Sequence, residues 1–430
     1  MLDILIVHAQ ATYPVRTNSW DNLYCFRYNS PHRCHYLNLA YHSVPGFIKR
    51  IKYDLIIFHD LFVCARWGGS KAFNRLLQRA SWLKDIECTK VVLPQDEFIY
   101  SDLLCNFINQ FGITHVYSVS PPSEWEKIYN SVDFNKVKFH LVLTGYLDKK
   151  TVDRINRIAK SMSTNRPIDI GYRAKYHNPW IGRHGILKHT IAEHFTARAP
   201  AKGLKIDIST KEEDAFIGDD WYRFLLRCKY TIGVEGGASI LDRDGSIMQK
   251  TDLYVKNNPD ASFFQVEREC FPGRDGELAL FAISPRHLEA CATRTCQVLI
   301  EGYYNGVLEP GKHYIELKKD FSNLEEVLNT IVRDDLRDTI THNAYKDIVE
   351  SRLYDYSKFV DYVINNSLTS KDFINRSSGV ELKRYFLYLI MRVVEFISWI
   401  EIAFITVGIK LAKKVMPSCL LDWLKKKLIK

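Results

Sequence analysis

The sequence has no Cys-x-x-Cys pair, and its 10 cysteines, scattered from Cys25 to Cys419, show no Cys/His spacing suited to zinc. Free, mostly buried thiols in a reducing cytoplasm are the expectation. Also absent are G-x-G-x-x-G, a P-loop and a G-x-S-x-G elbow, so dehydrogenase, kinase and serine-hydrolase readings lose their usual support. No long uncharged apolar run exists. Phe386–Ile409 carries only Arg392, Glu395 and Glu401 as charges, but its longest uncharged stretch is Ile402–Ile409. A span needs about 20 mostly apolar residues, and each central charge costs ~2.5–3.5 kcal/mol. The opening MLDILIVHAQ has no basic region before its apolar run and reads as a first β-strand, not a signal peptide. Nor is the body of the chain basic. Of the net charge of +9, most sits in residues 410–430, where seven lysines face one acid, Asp422. The near-neutral remainder argues against nucleic acid as the main partner.

What is present is an alternation of short apolar runs with helical patterns, long enough at 430 residues for two or three domains. Strands are expected at Leu2–His8, Tyr53–His59, Val91–Pro94, His115–Ser118 and Val137–Leu143, with helices at Ser70–Leu83 and Ser101–Phe111. After the break at Ser163–Pro167 a second series follows. Its strands are Ile168–Tyr172, Leu204–Ile208, Tyr230–Val234, Phe263–Val266, Leu278–Ile283 and Gln297–Ile300. Its helices are Gly185–Phe195, Asp220–Cys228, Arg286–Thr293 and Leu324–Val332, the last with capping-box spacing at Ser322 and Glu325. Such alternation predicts α/β domains, each with a parallel sheet covered on both faces. Residues 333–365 look helical, Leu368–Ser378 is a polar break that could be a hinge, and the apolar, Lys-rich tail suits either an anionic membrane surface or a face of the protein itself.

Chemistry concentrates at predicted strand ends, where α/β folds bind ligands. In the second series these are Arg173; Arg183 and Lys188 near a helix start after His177–Trp180; and Glu235 with Ser239 in VEGGASILDRDG. In FAISPRHLEACATRTC, Ser284, Pro285 and Arg286 open a helix whose free N–H groups attract an anion, and Glu289 lies inside it. Glu289 is either a site residue or a plain helix charge. Asp242 and Asp244 form a D-x-D that would hold a metal or cap a turn. Tyr303 and Tyr304, with His313 and Tyr314, would stack on a base or sugar, or pack under a Gly-rich turn. His184, His189 and His194, five residues apart, do not share a helical face, so no metal cluster is expected there. In the first series His8, Asp60, Asp96 and Glu97 stand at strand ends.

The segments DIGYRAKYHNPWIGRHGILKH, DISTKEEDAFIGDDWYRFLLRCKYTIGVEGGASILDRDG and ISPRHLEACATRTCQVLIEGYYNGVLEPGKHYIELKKDFSN resemble the GT-B glycosyltransferases. More narrowly, residues 166–335 look like the glycosyltransferase-family-1-like enzymes of bacterial surface polysaccharide (capsule, O-antigen, lipopolysaccharide) synthesis, and VVLPQDEFIYSD resembles them more loosely. The resemblance implies two Rossmann-like domains facing across a cleft, to which the residues themselves add an amphipathic helical tail. These are an acceptor domain (1–150), a nucleotide-sugar domain (151–345), a helical extension and hinge (346–378) and a basic membrane-association tail (379–430). It implies that Glu289 contacts the donor ribose, that Ser284 and Arg286 face the diphosphate, and that Arg183 and Lys188 grip it as an Arg-x4-Lys pair. Retaining members often carry Glu-x7-Glu, but Phe281 stands at the first of these positions. Glu235 is the candidate to replace the missing Glu from the neighbouring loop, and Arg173 is an alternative to Arg183, which lies farther from its strand than the family pattern expects.

The expected activity is sugar transfer from a nucleotide sugar to a lipid-linked or growing glycan at the inner face of the cell membrane. No cofactor or metal is expected. Arg173, Arg183, Lys188 and Arg286 would stabilise the departing diphosphate. Asp96 is the first choice for a general base or acceptor-orienting group, ahead of Glu97, His8 and Asp60, and closure about residues 150–167 would exclude water. Two other classes stay open: an inactive GT-B-like module that binds glycan or scaffolds a complex, and a sugar-nucleotide epimerase.

Overall fold

The computed structural model describes residues 1–41, 44, 46–175, 178–368 and 378–415. His177, the polar break after Leu368 and the Lys-rich end 416–430 lie outside the described residues.

The first domain runs β1 (Asp3–His8), α1 (Thr17–Asn29), β2 (Arg33–Asn38), β3 (Leu55–Phe58), α2 (Asp60–Val63), α3 (Gly69–Arg79), β4 (Thr89–Val92), α4 (Ser101–Phe111), β5 (His115–Ser118), α5 (Trp125–Ile128) and β6 (Lys138–Leu141). Its strands form one parallel sheet in the order β2-β1-β3-β4-β5-β6. Central strands of a parallel sheet are buried on both faces. That is why β1 and β3 read as the unbroken apolar runs ILIV and LIIF.

The second domain continues with α6 (Lys149–Ser161), β7 (Ile168–Arg173), α7 (Arg183–Arg198), β8 (Ile206–Ser209), α8 (Asp219–Arg227), β9 (Cys228–Gly233), β10 (Gly236–Ala238), α9 (Ser246–Asn257), α10 (Phe263–Cys270), β11 (Leu280–Ala282), α11 (Pro285–Ala292), β12 (Cys296–Ile300), β13 (Ile315–Leu317), α12 (Leu324–Arg333) and α13 (Arg337–Ala344). A parallel sheet in the order β13-β12-β9-β7-β8 forms its centre. Two parallel, doubly wound sheets are the Rossmann-like pair expected from the sequence.

Three expectations need correction. Phe263–Val266 is not a strand but the start of α10, because Ser262 and Gln265 form a capping box that commits the segment to a helix. The run Leu278–Ile283 contributes β11, which pairs antiparallel with β10 outside the parallel sheet. The N-cap of α12 is Asn323, and no side chain caps it, so Ser322 and Glu325 form no capping box.

Residues 236–280 bind the second domain to the first. Asp242 and Ile99 form a β-bridge, with Tyr100 N–H donating to the Asp242 carbonyl at 2.7 Å and Asp242 N–H to the Phe98 carbonyl at 2.7 Å. Trp180, Ile240, Leu241, Val266 and Phe271 share one hydrophobic core with Phe98, Tyr100 and Phe107. Gly245 has φ +82° and lies against the Tyr100 ring, where a Cβ would come within 2.1 Å.

The chain then returns. α14 (Tyr356–Ser367) packs in the first domain's core through Tyr356, Phe359, Val360 and Val363. Outgoing and returning crossings run side by side: Leu147 N–H donates to the Tyr354 carbonyl at 2.8 Å and Tyr356 N–H to the Leu147 carbonyl at 2.9 Å.

Last comes α15 (Ser378–Val415), which lies along β2. Glu395 takes Arg27 at 2.6 Å and the Tyr24 hydroxyl at 2.7 Å, Glu381 pairs with Arg33 at 2.8 Å, and Arg384 reaches Asp3 and Asp54. Burial pushes the Asp3 carboxyl up, but His35 and Arg33 outweigh it and hold the group below the ordinary carboxylate range. The opposite face of α15 is exposed and apolar, with Leu382, Phe386, Leu389, Val393, Phe396, Ile400, Phe404, Val407 and Leu411 along it. No described helix is long and apolar enough to cross a membrane.

Candidate active site

A cleft of about 240 Å³ opens between the domains. The first domain supplies Asn18, Ser19 and Asn22 from α1, and Asp60, Asp96, Val119 and Thr144 from the carboxyl ends of β3, β4, β5 and β6. Facing them are Lys188 on α7, Gly236 and Gly237, and Ser284 and Pro285 at the start of α11.

Asp96 is held by its backbone. It has φ +50°, and the buried Arg66 guanidinium grips the carbonyls of Val63, Gln95, Asp96 and Ile99 at 2.9, 2.9, 2.5 and 3.0 Å. The Asp96 side chain is solvent-exposed, yet protein surrounds the cleft that it enters. That crowding raises its pKa, Arg66 and Lys188 oppose the rise, and Asp60 adds to it. Across the cleft, burial and the nearby Arg286 lower the Lys188 pKa to about 8, with Asp96 acting against them. Ser284 caps α11 in a box with His287, its N–H donating to His287 Nδ1 at 3.0 Å. Pro285 has no N–H, and the Ser284 and His287 N–H groups are bonded to His287 Nδ1 and to the Ser284 carbonyl, so what this end of α11 offers an anion at the cleft wall is its positive helix dipole and the Arg286 N–H.

Other expected residues are engaged elsewhere. Glu97 is buried and ties β4 to β5, accepting from Val119 N–H at 2.9 Å, Ser118 Oγ at 2.8 Å and Ser120 Oγ; burial raises its pKa more than these bonds lower it. His8 is buried beneath α15, with Trp399 stacked 6.3 Å away, and burial with His59 lowers its pKa to about 3. Arg173 turns to Asp207 at 2.7 Å and to the Asp214 carbonyl. Arg183 pairs with Glu267 at 2.7 Å and Asp275 at 3.1 Å, away from Lys188. Ser239 donates to Asp275 at 2.7 Å. Glu235 accepts from Tyr304 N–H at 2.7 Å, fixing the loop that carries Tyr303; burial raises its pKa against these backbone bonds.

Tyr303 is 74% exposed, while Tyr304, His313 and Tyr314 are buried, so packing accounts for those three. Phe281 stacks on His184 at 3.9 Å. Asp242 accepts from the N–H groups of Gly245, Ile247 and Met248, and Asp244 from that of Ser246, so the D-x-D caps α9. His184, His189 and His194 diverge: His184 meets the Glu235 carbonyl, His189 pairs with Glu193 and His194 stacks on Phe321. Among the described residues no group of three or more His, Cys, Asp or Glu could hold a metal ion. Arg286 lies over the Trp221 ring at 5.3 Å and donates to the Arg173 carbonyl. The Trp221 indole donates to Glu289 at 2.7 Å, and burial lifts the Glu289 pKa to about 7 against that bond and Arg286.

Sequence reasoning missed Asn18, Ser19 and Asn22, because TNSWDNLYCFRYN has little helical periodicity. It also missed Arg66, whose donors all go to backbone carbonyls that no motif reports.

No known family profile matches the sequence, and no curated protein matches it. Solved structures similar to the chain include HepE of Anabaena in complex with UDP-glucose, at 12% identity over 85% of this chain and 100% of that one, TM-score 0.48. Another is the T4 phage BGT in complex with its UDP-glucose substrate, at 10% identity over 86% and 100%, TM-score 0.49. A glycosyltransferase from Rickettsia africae ESF-5 shares 10% identity over 87% and 99%, TM-score 0.43. At these values the two-domain architecture rests on the sheet topology and not on the likenesses.

Proposed function

We propose that the chain is a glycosyltransferase of GT-B type that moves a sugar from a nucleotide-sugar donor to an acceptor hydroxyl. One arrangement carries this reading: a cation and a helix N-terminus on one wall of the cleft face a strand-end carboxylate on the other. A diphosphate leaving group gains charge as the glycosidic bond breaks. Lys188 and the positive end of α11 are placed to stabilise that charge before it forms. Asp96 is placed to receive or orient the acceptor hydroxyl. A thermal-shift panel of UDP, GDP, CMP and dTDP sugars tests it. One nucleotide class should raise Tm and be turned over when a glycan acceptor is added. Glycan binding without turnover of any donor would instead establish an inactive recognition module, and donor conversion without acceptor an epimerase.

The acceptor in this proposal is a lipid-linked or growing surface glycan at the cytoplasmic membrane face. The support is α15. Of its three acids, Glu381 and Glu395 are turned to the protein and paired and Glu401 is half-buried, while the fully exposed charged residues among those described are the basic Lys383, Arg392 and Lys410. A broad apolar face with basic flanks suits an anionic lipid surface, each nearby Lys adding about 1 kcal/mol. Full-length protein should pellet with vesicles containing anionic lipid. The triple substitution Phe386→Ser, Phe396→Ser, Phe404→Ser should abolish pelleting with an unchanged circular dichroism spectrum. Equal pelleting would remove the membrane from the proposal. Substitution is preferable to truncation, because deleting α15 would take Glu395 from Arg27, Glu381 from Arg33 and Arg384 from Asp3.

A further inference from the structure

Trp221 lies in the first turn of α8, on the second domain, and no motif marks it. Its indole N–H donates to Glu289 Oε2 at 2.7 Å. Among the described residues no hydrogen bond to the other carboxylate oxygen is found. The ring is fixed from a second side, with the Arg286 guanidinium over it at 5.3 Å. Glu289 is 9% exposed and lies one turn beyond Pro285, which lines the cleft. A carboxylate so close to an anion-attracting helix start cannot serve the anion itself. It suits the neutral hydroxyl-bearing part of the same ligand, which in a nucleoside diphosphate is the ribose.

We infer that Trp221 is a positioning residue, whose indole N–H pins one oxygen of Glu289 and aims the other at the ribose hydroxyls of a bound nucleotide. This rests on the nucleotide-sugar reading of the cleft. Burial alone would favour the neutral acid, which donates as readily as it accepts. The indole N–H bonds the ionised form and opposes the rise that burial causes. Arg286, in the first turn of α11, covers the ring that holds Glu289.

The test compares UDP and GDP with their 2′-deoxy and 3′-deoxy forms on the full-length protein. Wild type should prefer at least one ribonucleotide over a deoxy form by about tenfold, the worth of one charge-assisted hydrogen bond. Trp221→Phe keeps a ring for Arg286 but removes the N–H, and should collapse that preference while binding of the deoxy form stays unchanged. A thermal melt confirms that the variant is folded. Adding Trp221→Phe to Glu289→Gln should change the preference no further, since both act on one contact. Should Trp221→Phe retain the wild-type preference, or lower ribo and deoxy binding equally, the positioning role is overturned while the functional reading stands. Should wild type bind none of the nucleotides, the functional reading itself falls, and the inference with it.

Discussion

Asp96→Asn should lower the rate of sugar transfer by about 10²–10⁴-fold and leave nucleotide binding intact. The substitution is nearly isosteric, and the backbone at this position is set by Arg66 through four carbonyls, not by the Asp96 side chain. Cleft geometry therefore survives, and only the ability to take a proton or to bind an acceptor hydroxyl as a charged group is lost. Steady-state kinetics with a glycan acceptor, alongside calorimetric titration of the nucleotide, separates the two. The pH profile adds a signed check. Because crowding raises the Asp96 pKa, activity that needs the carboxylate should be lost as pH falls through a value above the ordinary aspartate range. Asp96→Asn should have no such acidic limb. Wild-type activity in that variant would move the acceptor-side role to Asp60, which lines the same wall.

Lys188→Ala should cost about 10²–10³ in kcat, the usual loss when one preorganised group facing developing charge is removed. With its pKa lowered to about 8, Lys188 is charged below that pH and neutral above it. An anionic ligand binds the charged form better, so affinity for the nucleotide sugar should decline as pH rises through about 8. Lys188→Arg, whose guanidinium stays protonated, should flatten that decline while fitting the diphosphate less well. A pH series of nucleotide-sugar binding for wild type, Lys188→Ala and Lys188→Arg measures both effects. A wild-type affinity that stays level across pH 7–9 would detach Lys188 from the diphosphate.

The parallel sheets were legible because buried strands leave apolar runs. His115–Ser118 and Ser101–Phe111 were placed to the residue. Strand β2 was not legible, since RCHYLN buries an arginine and a histidine. It is tolerable because Asp3 bonds to both and Glu381 pairs with Arg33 as well, and those acids are far away in sequence. The site was half legible for a related reason. Position at a strand end is written in the sequence, but the direction of a side chain is not. Asp96 and Glu97 are neighbours, yet one faces the cleft and the other is tied to Ser118, Val119 and Ser120. Arg183 shares a helix with Lys188 but meets Glu267 and Asp275, which belong to a stretch whose packing no local pattern announces.

The paired crossings at Leu147 and Tyr354–Tyr356 set the kinematics of the molecule. The second domain leaves and rejoins the first through two adjacent segments joined by a β-bridge, so it hangs like a door on a short pin. A door has one axis, and swinging or twisting freely is denied to it. On the far side of the cleft the bonds of Tyr100 and Asp102 to Asp242 and Arg243 act as a catch on that door. Behind that catch, Trp180, Ile240 and Leu241 share an apolar core with Phe98 and Tyr100, so the walls that carry Lys188 and Asp96 are held at both edges of the cleft.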